Sequence, residues 1–531
     1  MLIVGKISGI QDYLFDVAAE GGAQAKRLRA RSFFMQILTE TLAIRTALKC
    51  KISHKQSLVF CNAGKFALET ADADENSVKE ALSELSREVN RELLNSTAAR
   101  LSFSLAVSKL ETGSISTDYN EAMRKLNFVK KQAWAKAVTA NGVWQTSNLI
   151  LQSISDPCEL CRQEKSVDEI QDDNDVVRRI CQTCLMMRDI GKNLTEPNKN
   201  WVILAQNENR TFKVGSWSFD FAERPSENSD EYSISLDGST YSGQRNEEKI
   251  YSRRLVRSIP KEANGKPLEF VDLAERAKGD KLLGLLKMDA DSLGKHIDDL
   301  NKKAASLNDL KGFSQELDDF FAQTLTEKLK RTNIYTVFAG GDDLMLVGAW
   351  NEIFDFAGEI QKAFASQFGN RGLTISGGLA IFKPKTPIKN VAAEAEELLH
   401  KAKETEIDGK NRNQFAAFGQ VWKWEAHTEI TDTANQIIGW IEENKFNRGW
   451  LNTLLRLAMM REKDPNSFES RLATARLANY WIRNFKNPEV WEFGKNLVNE
   501  FDEIKTVKTR YLATIVRYVL TATRNRAKEE I

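Results

Sequence analysis

Apolar positions fall into two similar series along this chain, followed by a stretch of purely helical spacing. The first series opens with Leu2 to Val4, a strand-length run. Ala25 to Lys49 then carries Phe33, Phe34, Ile37, Leu38 and Leu42 at helical spacing. Ser57 to Cys61 and Phe66 to Leu68 predict strands on either side of the turn Asn62-Ala63-Gly64-Lys65. Val78 to Leu94 predicts a helix, and Leu101 to Val107 alternates as a strand. The order β-α-β-β-α-β is the ferredoxin-like arrangement. It recurs in the second series: a strand ending at Asp289, a helix around Phe313 to Leu329, and a hairpin over Thr336 to Trp350. A helix at Ile353 to Phe368, a strand at Leu373 to Ile381 and a helix at Val391 to Lys403 complete it. Gly377-Gly378 inside that strand predicts a bulge or a close backbone approach. Beyond Gly419, Gly449 to Arg461, Arg471 to Phe485, Glu489 to Phe501 and Lys508 to Arg526 show helical spacing, punctuated by Pro465 and Pro488.

The expected fold is therefore α+β and multidomain. Two ferredoxin-like units at residues 1–145 and 266–420 flank a linker domain with hairpins at 146–265, and a helical bundle follows at 421–531. A chain of 531 residues exceeds what a single core holds, and 28% charged with 42% hydrophobic residues excludes a wholly disordered chain. The net charge of +1 means that nucleic-acid contact must come from local patches. No apolar run approaches membrane-spanning length, and MLIVGKISG is too short for a signal peptide, so the expected location is cytoplasmic with no membrane partner.

Candidate chemistry concentrates in the hairpin. Its turn is Gly340-Gly341-Asp342-Asp343, where glycines admit positive φ and close approach while two adjacent carboxylates repel unless a cation lies between them. Upstream, LGLLKMDADSL runs a buried-type strand into Asp289 and Asp291. If the two elements share a sheet, Asp289 and Asp342/Asp343 converge on hard-oxygen ligation of Mg²⁺ or Mn²⁺ and on two-metal nucleotidyl transfer, the demand of a polymerising palm. The alternative is an acidic surface turn.

Aligning the two series puts Lys6 and Ser8 on Asp289 and Asp291, and Lys65 on Asp343. The first copy thus offers lysines, suited to triphosphate charge, where the second offers carboxylates. Between the copies, Cys158-x-x-Cys161 and Cys181-x-x-Cys184 are separated by residues 162–180, the pattern of one structural tetrahedral zinc; a disulfide or redox pair is the competitor. Cys50 and Cys61 read as buried fillers, and Asp168 to Asp175 as an exposed loop. Arg510, Arg517 and Arg524 recur every seventh residue, either as a solvated face or as contact to a nucleic-acid backbone or acidic partner. The four histidines stand isolated, and P-loop, HExxH and GxSxG motifs do not occur.

In order, these residues resemble the large signature subunit of type III CRISPR–Cas effector complexes. Gly5-Lys6-Ile7-Ser8-Gly9-Ile10-Gln11-Asp12-Tyr13 is similar to that family's first palm signature, Arg29-Ala30-Arg31-Ser32-Phe33-Phe34 to its next helix, and Asn62-Ala63-Gly64-Lys65-Phe66 to its degenerate hairpin. The paired CxxC module, the segment Lys287 to Gly294, the GGDD turn and the segment Ile375 to Ile388 follow in the family's order. The resemblance implies two facing palms that convert ATP into cyclic oligoadenylates when the complex binds target RNA. It implies Asp289, Asp342 and Asp343 as ligands of two Mg²⁺ or Mn²⁺ ions, and one zinc on the four cysteines. Gly340, Gly341, Ser292, Lys403, Lys410, Ser8 and Lys65 would bind nucleotide, Lys403 and Lys410 matching phosphate-holding positions of related palm cyclases. Implied partners are crRNA and target RNA, a repeat-binding subunit at the crRNA 5′ end, and a small helical subunit at the C-terminal bundle. Many members begin with a histidine-aspartate DNase domain; this sequence starts on the first palm, so DNA cleavage in cis is not expected. Two other readings remain: a scaffold subunit without turnover, and a guanine-nucleotide cyclase, whose usual aromatic after the acidic pair is Leu344 here.

Overall fold

Strand β1 (Leu2–Ser8) organises the sheet nearest the amino terminus. With β2 (Leu58–Asn62), β3 (Lys65–Glu69) and β4 (Ser102–Ser108) it forms an antiparallel sheet in the order β2-β3-β1-β4. Alternation sends Leu2 and Val4 to one face, where they meet Ala122 and Leu126 of the helix Ile115–Lys130 and Leu310 of the helix Leu307–Asp319. The helices Gln24–Lys49 and Glu75–Ser96 also pack on this sheet. Gly5 has no room for a side chain: an added Cβ would lie 2.3 Å from the ring of Phe66, its cross-strand partner. The ring thus lies over the glycine and against Phe103, with centroids 6.1 Å apart.

The structure, a computed structural model, describes residues 1–15, 24–62, 64–70, 74–110, 115–135, 139–140, 143–144, 154–171, 176–207, 209–238, 247–252, 258–296, 307–463, 467–501 and 506–524. Ala63, residues 172–175, Pro465 and Arg526 lie outside them. The chain forms two compact units: Met1–Glu269 with Ser292–Leu344 and Lys385–Asn390, and Phe270–Asp291 with Met345–Pro384 and Val391–Ile531.

In the first unit the long helix Gln24–Lys49 is buried along most of its length, so its arginines need partners. Arg31 donates to the Tyr13 carbonyl at 2.7 Å with its guanidinium over that ring, and Arg45 pairs with Glu92 at 2.7 Å. Two small ladders follow, β5 (Thr139–Ala140) with β6 (Val143–Trp144) and β7 (Asp168–Gln171) with β8 (Val177–Ile180). The acidic segment expected to be a loop therefore begins as a strand. Beyond it, β9 (Trp201–Ala205), β10 (Phe212–Val214), β11 (Trp217–Ala222), β12 (Tyr232–Ser235) and β13 (Ile250–Ser252) form a sheet in the order β10-β11-β9-β12-β13. Its edge pair β12–β13 is parallel, so this region is more than the expected hairpins. Cys61 is buried as expected, whereas Cys50 is only half-buried.

The second sheet contains β14 (Leu283–Asp291), β15 (Tyr335–Gly340), β16 (Asp343–Ala349), β17 (Thr374–Phe382), β18 (Gln414–Ala417) and β19 (Gln420–Lys423). Their order is β15-β16-β14-β17-β18-β19, whose first four places repeat β2-β3-β1-β4. In both series a helix follows the fourth strand, Ile115–Lys130 in the first and Ile388–Glu404 in the second. The repeat is thus one helix longer in the first copy than the apolar pattern indicates. The β14–β17 register runs unbroken from Leu283↔Phe382 to Asp291↔Thr374, so Gly377-Gly378 is not a bulge. It marks a close approach instead: a Cβ at Gly378 would sit 2.4 Å from the amide nitrogen of Leu399.

Helices Trp424–Glu442, Trp450–Lys463, Phe468–Asn484, Pro488–Phe501, Val507–Arg510 and Leu512–Ala522 close the second unit. The architecture is α+β with several sheets and C-terminal helices. The arginine stripe is not a free basic face. Arg510 pairs with Asp408 at 3.1 Å, Arg524 with Asp280 at 3.3 Å, and Arg517 donates to the Phe418 carbonyl. Among the described residues, no helix is long and apolar enough to cross a membrane.

His427 lies in an aromatic cage at 5% exposure. The Trp422 indole donates to its Nδ1 at 3.3 Å, which leaves Nε2–H to donate to the Phe354 carbonyl at 3.2 Å. Burial presses the imidazole pKa from 6.5 to about 4, against the Phe354 carbonyl, which pulls it up. Between those values the unfolded chain takes up a proton that the folded unit resists, so stability falls as pH drops. Lowering the pH from 7 to 5 should cost the second unit about 2 kcal/mol. Denaturant titrations at the two pH values check this, and His427→Gln should lose that part of the slope.

Candidate functional site

Period-two alternation puts Leu283, Leu285, Lys287, Asp289 and Asp291 on one face of β14. The helix Ile388–Glu404 supplies opposite charges to that face from positions seven residues apart. Glu396 pairs with the buried Lys287, and Lys403 with the half-buried Asp289. Asp291 is different. It is 2% exposed, and its carboxylate accepts from Thr374 Oγ1 at 2.8 Å, from Ser376 Oγ at 2.8 Å and from the Asn413 amide at 3.0 Å. Its lone pairs are committed to tying β14, β17 and the segment before β18 together. The two aspartates of one motif therefore do separate work, Asp289 facing an ammonium group and Asp291 holding structure.

The hairpin turn lies in the first unit up to Leu344. Gly340, Gly341, Asp342 and Asp343 are all half-buried, so the corner is not sealed by packed side chains. Gly341 takes φ +70°, and a Cβ at Gly340 would meet nothing within 4 Å. Asp342 stands in the field of the first sheet's cationic group. Burial, then Lys65 and Lys130, lower the pKa of Lys6, and Asp342 counters them. Burial, with Asp342 adding to it, also pushes the Tyr119 phenol up to about 12. Lys6 and Lys65 are direct cross-strand partners in the β1–β3 register. Two ammonium groups brought together by register need an anion, and Asp342 is one.

Asp318, which no sequence signal distinguishes from the other acids of its helix, belongs to this corner. Its Oδ1 accepts from Asn62 Nδ2 at 2.8 Å and from the Gly341 amide at 3.4 Å. Of the remaining candidates, Ser8 has a buried hydroxyl with no hydrogen-bond partner among the described residues, an unmet polar group of the kind a ligand satisfies. Ser292 follows β14 with φ +58°. Lys410 ends the tight turn Ile407–Lys410 with its side chain exposed, while its carbonyl accepts from Lys423 Nζ at 3.1 Å.

Four cysteines converge elsewhere in the first unit. Cys158 and Cys161 lie on the knuckle closed by the Pro157↔Lys165 bridge; Cys181 caps the helix Gln182–Asn193, accepting from the Cys184 amide at 3.4 Å. Their sulfurs lie within 4.8 Å of one another, and Cys161 and Cys181 are 3.6 Å apart. That separation is far beyond a disulfide and close to the roughly 3.8 Å edge of a tetrahedron with 2.3 Å metal–sulfur bonds. A hydrogen bond from Cys184 holds the Cys158 thiol below its usual range.

Two family models match the sequence. That of the Cas10/Cmr2 second palm domain covers residues 282–416, and that of Csm1 subunit domain B covers residues 1–141. The chain is similar to the CRISPR system single-strand-specific deoxyribonuclease Cas10/Csm1 (subtype III-A) of Mycobacterium tuberculosis, 25% identical over 529 residues, covering 92% of this chain and 62% of the relative. The protein of the same name from Methanocaldococcus jannaschii is 25% identical over 495 residues, covering 81% and 60%. The chain spans about three-fifths of the length of these curated relatives. Among solved structures, a Csm1–Csm4 subcomplex of the type III-A CRISPR-Csm interference complex superposes with a TM-score of 0.75 at 19% identity, covering 98% of this chain and 70% of that one. A Csm1–Csm4 cassette in complex with cA4 gives a TM-score of 0.72 at 18% identity, with 98% and 70% coverage. The chain is thus similar to Cas10/Csm1 proteins of subtype III-A, in line with the type III resemblance its motifs carry.

The two aspartates of β14 should separate in stability measurements. Asp291→Ala strands the buried Ser376 hydroxyl and two half-buried donors and should cost about 3 kcal/mol, whereas Asp289→Ala breaks a half-exposed pair and should cost under about 1 kcal/mol. Denaturant unfolding of the two variants checks the difference.

Proposed function

We propose that this chain is the large subunit of a type III CRISPR effector complex and joins ATP into cyclic oligoadenylates when the complex engages target RNA. The observation that carries the reading is the open glycine corner, whose Asp342 stands in the field of Lys6 on the aligned strand of the first copy. Register supports it too. Lys6 pairs with Lys65 across β1 and β3, and the same two positions in the second series are Asp289 and Asp343. Carboxylates at one pair and lysines at the other suit a substrate that carries both metal and triphosphate charge.

In this reading Asp289, Asp342 and Asp343 hold two Mg²⁺ or Mn²⁺ ions, hard-oxygen ligands for hard cations. Bound there, the ions would polarise the α-phosphate and favour the attacking 3′-oxygen. Asp342 is the more direct ligand because it follows the glycine turn, and Asp343 shares the metal or shapes the 3′-hydroxyl. Gly340, Gly341, Ser292 and Ser8 give the nucleotide room and hydrogen bonds. Lys65, Lys403 and Lys410 meet phosphate oxygens, Lys403 from a helix that already aims it at Asp289. The reaction is attack of one ATP 3′-hydroxyl on the α-phosphate of another, with departure of pyrophosphate. Relatives of known structure are described in complex with one ATP, cA3 and cA4, which agrees with this substrate and product.

The four cysteines hold one structural zinc, with no ligand position left for chemistry. We divide the chain into a first palm at 1–145, a zinc-binding linker domain at 146–265, a second palm at 266–420 and a helical bundle at 421–531. The partners in this reading are crRNA and target RNA, a repeat-binding subunit at the crRNA 5′ end and a small helical subunit at the bundle; the solved relatives pair Csm1 with Csm4.

The assembled complex, given ATP, Mg²⁺ and target RNA, should yield cyclic oligoadenylate, and Asp342→Ala with Asp343→Ala should lower that yield by about 100-fold or more. Chromatography of the products checks this; an inactive wild type or an unaffected double variant would overturn the assignment. Metal analysis of chelator-washed protein should return about one zinc per chain, and Cys158→Ser with Cys161→Ser should abolish it.

A further inference from the structure

We propose that Asp318 is a positioning residue that clamps the acidic turn to the matching turn of the first sheet and so sets the direction of Asp342. The role rests on the nucleotidyl-transfer reading above, but the clamp itself stands on geometry within the first unit. One oxygen, Oδ1, takes both bonds, from Asn62 Nδ2 at 2.8 Å and from the Gly341 amide at 3.4 Å. Asn62 ends β2, and Gly341 immediately precedes Asp342. The space over Gly341 is taken up by Asn62, whose Oδ1 would stand 3.2 Å from an added Cβ. The turn is thus bounded by the Asn62 side chain and fixed through its amide by Asp318.

The support behind Asp318 is stiff. Its helix, Leu307–Asp319, passes directly into a π-helical turn, Phe320–Leu325. Phe320, Phe321 and Leu325 of that turn are at most 1% exposed. A wide turn shifts the phase of the residues around it, a device often found beside functional sites. Here it lets the aromatic pair anchor inward while Asp318, two residues earlier, reaches the hairpin. Holding the Gly341 amide fixes the Gly340–Gly341 peptide plane, and the chain runs from it to the Asp342 Cα through one residue, Gly341 at φ +70°. A shift of about 1 Å in a reacting group costs on the order of 100-fold in rate, so a single hydrogen bond at this peptide has leverage on chemistry that it lacks on stability.

Because one oxygen accepts these two bonds, an amide oxygen can make the same two. In the assembled complex, Asp318→Ala should lower kcat for ATP by about tenfold or more with KM changed by less than about threefold, while Asp318→Asn keeps kcat within about threefold of wild type. Asn62→Ala and Asp318→Ala should be non-additive in combination, as members of one clamp are. Hydrogen exchange at the Gly341 amide gives a readout independent of turnover: faster in Asp318→Ala, unchanged in Asp318→Asn. Wild-type exchange and kcat in Asp318→Ala would overturn the clamp. Loss of kcat in Asp318→Asn equal to that in Asp318→Ala would also overturn it, since the charge and not the hydrogen bond would then matter. Should wild type itself turn over no ATP, the functional reading fails while the exchange measurement still decides the clamp.

Discussion

Negative charge has to be kept in place at the carboxylates of the second series, and the chain answers that constraint differently at each. Asp342 stands in the field of Lys6, whose own pKa burial and the neighbouring lysines depress. Asp289 takes the ammonium of Lys403. Among the described residues Asp291 meets no cation; three donors satisfy it. A buried carboxylate with three hydrogen bonds is committed, whereas one that faces a long flexible lysine exchanges partners at low cost. Availability to a ligand therefore separates Asp289 and Asp342 from Asp291, although sequence spacing alone treats them alike.

The two sheets share a strand order, and each copy has spent its common scaffold on a different charge. The order β2-β3-β1-β4 of the first reappears as β15-β16-β14-β17 in the second. Leu2 and Leu285 are alike in kind, whereas Val4 falls on the buried Lys287, whose charge Glu396 of the covering helix meets, and Lys6 and Lys65 fall on Asp289 and Asp343 near the strand ends.

Much of this was legible from the chain. Strand-length apolar runs, glycine turns and the paired cysteine knuckles each leave a local signature, and all describe contacts between residues near in sequence or of one chemical type. What stayed hidden depends on partners far away. Arg510, Arg517 and Arg524 looked like a stripe because their acceptors, near Asp408, Phe418 and Asp280, are remote in sequence. His427 looked isolated because its cage is made by Phe354 and Trp422 in folded space. The helix Ile115–Lys130 was missed because it buries few large apolar residues, Leu126 among them, within a polar stretch. Asp318 was invisible since an acid on an amphipathic helix is ordinarily a solvated one.

Gly378 has a bearing on timing. At that glycine the helix Ile388–Glu404 rests on β17 backbone against backbone, with no side chain between to act as a cushion. The platform that carries Lys403 is consequently hard, and sliding it would require the slow collective shifts of packed elements, in microseconds to milliseconds. The ammonium group, by contrast, moves on four single bonds in picoseconds to nanoseconds. Departure of Lys403 from Asp289 is thus a matter of rotamers rather than of architecture.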